Sequence, residues 1–294
     1  MYDIKELYEA ESLQEAVALR LEHPGARVIA GGSDVLVQMR EGRLAGQELI
    51  SIQRLDELRG VRLDDEGSIR LGSLTSFSQI TKSPVIRKHI GVLGEAVDLV
   101  GGPQIRNLGT IGGNTCNGVT SADSASTLHA WEAVVELTGP AGERRLPIRD
   151  FYLGAGTVDI RPGEIQTAIL IPRASYDRTW GYYYKYALRN AMDIATTGCS
   201  VNARLSPDGK TFERVRLAYG VAGPVPRRAP SAEAAANGRP VDRATVEAFG
   251  LAVLDDIDPR DSWRASRDFR RHIAVEMAKR CLAESVRRCG GELS

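Results

Sequence analysis

Two glycine-rich segments constrain this chain more than any other feature. The first is Ala30-Gly31-Gly32-Ser33-Asp34, directly after a short apolar run at 27–30. The second is Thr110-Ile111-Gly112-Gly113-Asn114, continued by Cys116, Asn117 and Gly118. Glycine lets a main chain come close to a bulky anion, because no Cβ stands in the way. Successive backbone N–H groups in such a turn point at phosphate oxygens. Ser33, Thr110 and Asn114 add side-chain donors, and Asp123 offers a carboxylate to ribityl or ribose hydroxyls. A Gly-Gly pair after a strand is by itself usually just a turn. Two such segments, each leaving a β-rich stretch, suit the clamping of one elongated dinucleotide from both sides. The second is polar and too long for a tight turn, so it reads as a loop with exposed amides.

The rest of the chain reads as α+β. Ser12 with Glu15 forms an S-x-x-E capping signal for a helix that stops near residues 23–25. Strands are expected at 27–30, 49–52 and 68–72. Thr75 or Ser76 caps a short helix, and Pro84 opens another that runs through Ala96 to Val100, ended by Gly101-Gly102-Pro103. Residues 134–138 and 143–146 flank Gly139-Pro140-Ala141-Gly142 as a hairpin, and 164–172 is an alternating strand. Beyond Pro172 the chain turns aromatic at 180–188. Two strands at 200–205 and 212–221 are joined by Ser206-Pro207-Asp208-Gly209-Lys210. Helices are expected at 243–254 and 269–288, the last closed by Gly290-Gly291. The expected organisation is an α/β-type region 1–175, in two subdomains split near residue 58, and an α+β region 176–294 with a three-stranded sheet and helices.

Several function classes lose their support. Lysine plus arginine and aspartate plus glutamate number 38 each. A chain without cationic excess gives no electrostatic reason to expect nucleic acid. The start, MYDIKELYEA, is charged and has no apolar h-region, and no run approaches the ~20 apolar residues of a membrane helix. A cytoplasmic protein is expected. Cys116, Cys199, Cys281 and Cys289 form no C-x-x-C pair, so no iron–sulfur cluster or zinc is expected in this chain. Gly154-Ala155-Gly156-Thr157-Val158-Asp159 starts like a dinucleotide fingerprint, but Asp159 replaces the third glycine, and the segment reads as a loop. His23, His89, His129 and His272 are scattered, and no base–nucleophile constellation is visible, so no catalytic residue is assigned.

On these residues the chain resembles a known family. A-G-G-S-D and T-I-G-G-N look like the paired FAD motifs of the FAD-binding (medium) subunits of molybdenum hydroxylases. GGPQIRNLGTIGGNTCNGVTSADS, GEIQTAILIP and KYALRNAMDIATTG resemble the same family, and the likeness spans nearly the whole chain. It is most similar to the FAD subunits of bacterial three-subunit xanthine dehydrogenases. The resemblance implies a fold of the CO-dehydrogenase flavoprotein kind, with FAD as the cofactor of this chain. Val28, Ile29, Ala30, Gly31, Gly32, Ser33, Asp34 and Val35 would line the FAD diphosphate. Val100 would pack near the flavin, and Thr110, Ile111, Gly112, Gly113 and Asn114 would form a second phosphate and flavin loop. Asp123 matches an acidic contact and Lys185 a lysine near the cofactor. Gln166 stands where a relative has leucine. The resemblance also implies that Asp193 shapes the pyridine-nucleotide side of the flavin. The residues alone leave alternatives: Gln166 as a solvent-facing strand residue, Lys185 as a snorkelling surface lysine, Asp193 as a helix or strand cap. The resemblance also implies a molybdopterin-binding large subunit and a 2Fe-2S small subunit as partners, a dimer of heterotrimers, and NAD as electron acceptor. The chain lacks the cysteine-rich insertion of the hydroxybenzoyl-CoA reductase flavoproteins. Two other readings stay open: a self-contained flavin oxidase or reductase, and a flavin-free scaffold in which both glycine segments are only turns.

Overall fold

The computed structural model describes residues 2–294. The first lobe is a parallel three-stranded sheet built from β1 (Ile4–Glu9), α1 (Leu13–Glu22), β2 (Arg27–Ile29), α2 (Val35–Arg40) and β3 (Gln47–Ser51), in the order β1-β3-β2. Ser12 caps α1 by accepting from Glu15 N at 3.1 Å, while the Glu15 carboxylate reaches Glu11 N rather than closing the box on Ser12. Ala16, Ile52, Leu55 and Leu58 form its small core.

The middle lobe begins with β4 (Val61–Leu63) and β5 (Ile69–Gly72), followed by short helices. These are α3 (Phe77–Lys82), α4 (Pro84–His89), α5 (Gly91–Asp98), α6 (Pro103–Leu108), α7 (Ile111–Cys116) and α8 (Asp123–Ala130). Ser76 makes a complete capping box with Gln79 at the start of α3. The single helix expected from Pro84 to Val100 is two, because Ile90 leaves helical geometry at φ −143° and Leu93 N bonds back to Ile90 O to begin a new turn. Next come the hairpin β6 (Val134–Gly139) and β7 (Gly142–Pro147), then α9 (Ile148–Phe151), β8 (Tyr152–Gly154), β9 (Thr157–Val158) and β10 (Ile165–Ile171). The large sheet is antiparallel, ordered β4-β5-β10-β6-β7. Residues 154–159, expected as a loop, hold part of a small β8–β9 hairpin. All of β10 is buried, so Gln166 does not face solvent.

After α10 (Arg173–Tyr176) the chain forms β11 (Trp180–Tyr186), β12 (Thr197–Leu205), β13 (Phe212–Gly220) and β14 (Arg227–Arg228). This sheet has four strands, not the expected three, because the short β14 pairs with β13 through Ala218↔Arg228 and Tyr219↔Arg227. Helices α11 (Pro230–Ala236), α12 (Arg243–Ala252) and α13 (Arg267–Arg288) complete the chain, and α13 packs across β11 and β12.

Helix α8 decides how the C-terminal sheet meets the middle lobe. It lies against β12 and β13 while also touching α5, and every one of its residues is buried. The sheet is thus covered on both faces, by α13 on one and α8 on the other. That explains why the polar-looking strand TGCSVNARL is almost wholly buried. Side chains alternate along β11: Tyr182, Tyr184 and Tyr186 pack into the C-terminal core, and Tyr183 into the middle-lobe core.

Candidate functional site

The two glycine segments meet. Gly31 sits so close to the end of α6 that a Cβ on it would lie 1.7 Å from Leu108 O and 2.5 Å from Leu108 C. A cavity of about 60 Å3 opens at this junction, lined by Ala30, Gly31, Leu108 and Thr110 together with Gln53, Arg59, Ser76 and Asn107. Residues 28–33 are only half-buried, so the first segment faces an open cleft.

The segments differ in what they leave free. Among the described residues, the amides of Gly31, Gly32, Ser33 and Asp34 have no hydrogen-bond acceptor. The chain turns at Gly32, with φ +69°, a left-handed value that favours glycine. It then enters α2 with no side-chain cap, since Asp34 makes no capping bond. Four neighbouring donors therefore stand without an acceptor, and the first of them, Gly31, lines the cleft. The second segment is not the expected loop. Thr110 is the N-cap of α7, accepting from Gly113 N at 3.1 Å. Ile111 N donates to Thr75 O, Gly112 N to Ser73 O and Asn114 N to Thr110 O. Its amides, expected to be exposed, are consumed by the protein. Gly112 is needed for packing, as its Cβ would meet Ser73 Cβ at 2.5 Å. What remains for a ligand is side chains: Asn114, whose Oδ1 accepts from Ser124 Oγ at 2.6 Å, and Thr110.

A second cluster is built on α8 and β11. Asp123, the first residue of α8, accepts from Tyr183 Oη at 2.7 Å and from Lys185 Nζ at 2.8 Å. Lys185 also donates to Leu99 O at 3.0 Å. Its side chain is 9% exposed, so it is a buried partner and not a snorkelling surface lysine. Burial pushes the Asp123 carboxyl up, and Lys185 and Tyr183 pull it back. Burial and the facing Asp123 raise Tyr183 strongly, which keeps its hydroxyl protonated and donating. Arg106 Nη1 donates to Val100 O (3.2 Å) and Gly101 O (3.0 Å), so the turn carrying the half-buried Val100 is pinned from two sides. Helix α6 joins this turn to Leu108, and the Ser124–Asn114 bond joins α8 to α7.

Gln166 belongs to neither cluster. Cys116 Sγ donates to its Oε1 at 2.7 Å, and its buried Nε2 has no partner. Burial pushes the Cys116 thiol up to about 12, so it stays a protonated donor. Asp193 accepts from Arg189 N and Ile194 N in an irregular segment outside any helix or strand, so it caps neither. Sequence reasoning missed Arg59, whose guanidinium lines the cleft beside the open amides while bonding Leu74 O at 3.2 Å. Nothing in its local sequence marks it, since its place depends on the 3-10 turn at Asp56–Leu58 folding against β5. No group of residues that could hold a metal ion is found among the described residues, and no described helix is long and apolar enough to cross a membrane.

Comparison with known proteins gives a consistent set of matches. Residues 2–174 match the model for the FAD binding domain in molybdopterin dehydrogenase, and residues 182–285 that for the CO dehydrogenase flavoprotein C-terminal domain. The chain is similar to the putative xanthine dehydrogenase FAD-binding subunit XdhB of Escherichia coli (strain K12), 41% identical over 293 residues that cover 100% of each protein. It is also similar to the carbon monoxide dehydrogenase medium chain of Hydrogenophaga pseudoflava, 32% identical over 97% of this chain and 98% of that one. The solved carbon monoxide dehydrogenase from the same organism superposes with a TM-score of 0.92 and 32% identity, covering 98% of this chain and 99% of that one.

Proposed function

The chain belongs to the FAD-binding subunits of the molybdopterin-dependent dehydrogenases, and from there we propose that it holds FAD in the cleft between residues 30–34 and 108–114 as the electron-transfer subunit of a xanthine dehydrogenase. The reading rests on one observation: four successive amides, Gly31 to Asp34, have no acceptor in the chain, and the segment that carries them lines, through Ala30 and Gly31, a cleft whose other wall is Leu108 and Thr110. A diphosphate fits that donor set, because an anion accepts from several N–H groups at once, and each such charge-assisted bond is stronger than a neutral one. Arg59 lines the same cleft, but its guanidinium is paired with Asp56 at 3.0 Å and donates to Leu74 O and Gln53 O, so its part is to hold the cleft wall together. Thr110 and Asn114 offer side-chain contacts in place of amides. Ile29, Val28 and Val35 shape the wall on which the segment is carried.

FAD supplies redox chemistry, taking up electrons singly and releasing them as a hydride pair, and the protein contributes orientation and electrostatics. Lys185 was expected to present positive charge to the flavin. Since Asp123 neutralises it at 2.8 Å, its part is to fix the Leu99–Val100 turn against which the ring would pack. Gln166 lies off the cleft, and its contact with the cofactor is the least supported of the expected set.

Residues 1–175 form the FAD-binding part in this reading, with its two subdomains meeting near residue 58, and 176–294 the second part. The partners are a molybdopterin-binding large subunit and a 2Fe-2S small subunit, arranged as a dimer of heterotrimers in the cytoplasm, with NAD as acceptor. Xanthine is favoured because relatives at 41% and 40% identity over the full chain carry that substrate in their names. Carbon monoxide, nicotinate and glyceraldehyde occur among relatives at 29–32%. The test is purification of the native assembly with flavin and metal analysis, then reduction by xanthine and reoxidation by NAD. Flavin together with molybdenum, iron and two further subunits supports the reading. A flavin-free chain refutes it, and a flavoprotein reduced by a substrate without partners replaces it by a self-contained oxidoreductase.

A further inference from the structure

A cavity of about 410 Å3 lies elsewhere and shares no lining residue with the cofactor cleft. It opens between β4 and α4 on one side and α10 and the start of β11 on the other. Its volume falls within the roughly 300–1,000 Å3 of small-molecule sites. Three features of its wall point to a ligand.

The first is charge. Lys88, Arg173 and Arg178 line the cavity against one carboxylate, Asp177. Arg178 is paired with Glu213 at 3.0 Å, while Lys88 and Arg173 have no ion-pair partner among the described residues. The acidic turn at residues 64–66 lies next to Gly67, with Asp64 Oδ1 accepting from Glu66 N and Ser68 N, and Asp177 and Asp64 act on Tyr176 against Arg173. The cationic end of the wall is at His89, where burial and then Lys88 and Arg173 hold the imidazole below its ordinary pKa. The second feature is aromatic surface. His89 and Tyr176 stack obliquely with ring centroids 5.0 Å apart, Tyr176 Oη is tied down by donating to Gly67 O, and Trp180 stands at the rim 47% exposed. The third is backbone strain. Arg178 adopts φ +48°, an uncommon conformation for a non-glycine residue, between Asp177 and Thr179 of the lining.

We propose that this cavity binds a small aromatic anion, a flat ring bearing a carboxylate or phosphate, with the anion between Lys88 and Arg173 and the ring against Trp180. Nothing in the reading of the cofactor cleft requires such a site, and its ligand would act on the subunit without touching the flavin.

The test uses the FAD-loaded protein, so that the cofactor cleft is filled, titrated with AMP, benzoate and inorganic phosphate. Calorimetry and Trp180 fluorescence are the readouts. AMP or benzoate is expected to bind with a Kd on the order of 1 mM or tighter, and phosphate alone about tenfold more weakly. Arg173→Gln or Lys88→Gln should weaken binding about tenfold, the loss of one charge-assisted contact. Trp180→Ala should remove the fluorescence response, and Trp180→Phe should restore affinity without it. All these positions are on the surface, and unchanged flavin content shows that each variant is folded. Absence of saturable binding overturns the proposal. So does binding by the Arg173→Gln and Trp180→Ala variants equal to that of the parent.

Discussion

Replacing Gly31 by alanine tests the cleft most directly. Gly31 does not have a positive φ, so alanine meets no backbone penalty there and the effect is purely steric. The added Cβ would sit 1.7 Å from Leu108 O, half of the 3.4 Å at which ordinary contact begins. Both sides of the clash are main chain, so no side chain can swing away. The segments must part by about 1.7 Å, the difference between those distances. Overpacking of this kind costs about 1–3 kcal/mol of stability. The larger effect falls on FAD, because the open amides of residues 31–34 move away from the wall formed by Leu108 and Thr110. Loss of two hydrogen bonds to a charged diphosphate, each worth about 1.5–3 kcal/mol, amounts to about 3–6 kcal/mol, or roughly two to four orders of magnitude in Kd. Flavin fluorescence titration of the apoprotein measures the affinity, and circular dichroism shows whether the chain is folded. Gly91→Ala, at the start of α5 and outside both segments, is the control. Its Cβ would meet nothing within 4 Å, so FAD affinity should stay that of the parent. If Gly31→Ala binds FAD within about threefold of the parent, the packed segments are not what positions the donors, and the argument for the cleft fails.

Three further outcomes follow from the geometry. Lys185→Met leaves Asp123 as an uncompensated buried carboxylate, so urea unfolding should show a loss of about 3–5 kcal/mol, and adding Asp123→Leu should recover much of it. A double variant no more stable than the single one would refute the pairing. His129 is buried with Nδ1 2.7 Å from Ala125 O, and burial pushes its pKa down to about 4 from 6.5. Between those values the unfolded chain takes up a proton that the folded one refuses. Stability should therefore fall as pH drops through that window, by about 3 kcal/mol in total. His129→Gln should flatten that part of the curve, and an unchanged slope would assign it to other groups. Gln166→Leu removes a buried amide nitrogen that has no partner, so stability should change by less than about 1 kcal/mol and FAD should be retained. A loss of more than about 2 kcal/mol, or of the flavin, would show that Gln166 works harder than its bonds suggest.

Fold elements were legible where the pattern is local. The β6–β7 hairpin follows from the turn at Gly139-Pro140-Ala141-Gly142, and β12–β13 from the turn at residues 206–210. Ser76, one of the two expected caps, does start α3, and the last helix begins at Arg267, two residues before the expected 269, with Ser266 as its cap. Legibility ended where tertiary packing overrides local preference. Helix α8 reads DSASTLHA, with no apolar stripe to announce a helix, and it exists because it is enclosed on all sides. Strand β1 has almost no buried face, so its sequence carries no alternation. Strand β14 is two residues long and is defined only by its pairing with β13.

For the site, the right residues were marked for partly the wrong reason. Glycine at 31 and 112 was attributed to the approach of a phosphate, whereas each glycine is already required by the chain's own contact, with Leu108 O and with Ser73. The distinction has a consequence. Where the chain runs into a helix without a cap, at Asp34, amides stay open. Where a threonine caps the helix, at Thr110, they are spent inside. Two glycine-rich segments of similar composition therefore play unequal parts, because the second has both a threonine cap, which takes Gly113 N, and a neighbouring segment whose Thr75 and Ser73 carbonyls take Ile111 N and Gly112 N. The Asp123–Lys185 pair spans 62 residues and no local signal gives it, yet its strand carried a clue. Tyr182, Tyr184 and Tyr186 alternate with Tyr183 and Lys185, which puts the lysine on the face opposite the aromatic core. A lysine on the face of a strand that is buried on both sides must find a carboxylate, because an unpaired buried charge costs far more than a pair, and Asp123 at the first turn of α8 is the carboxylate it finds.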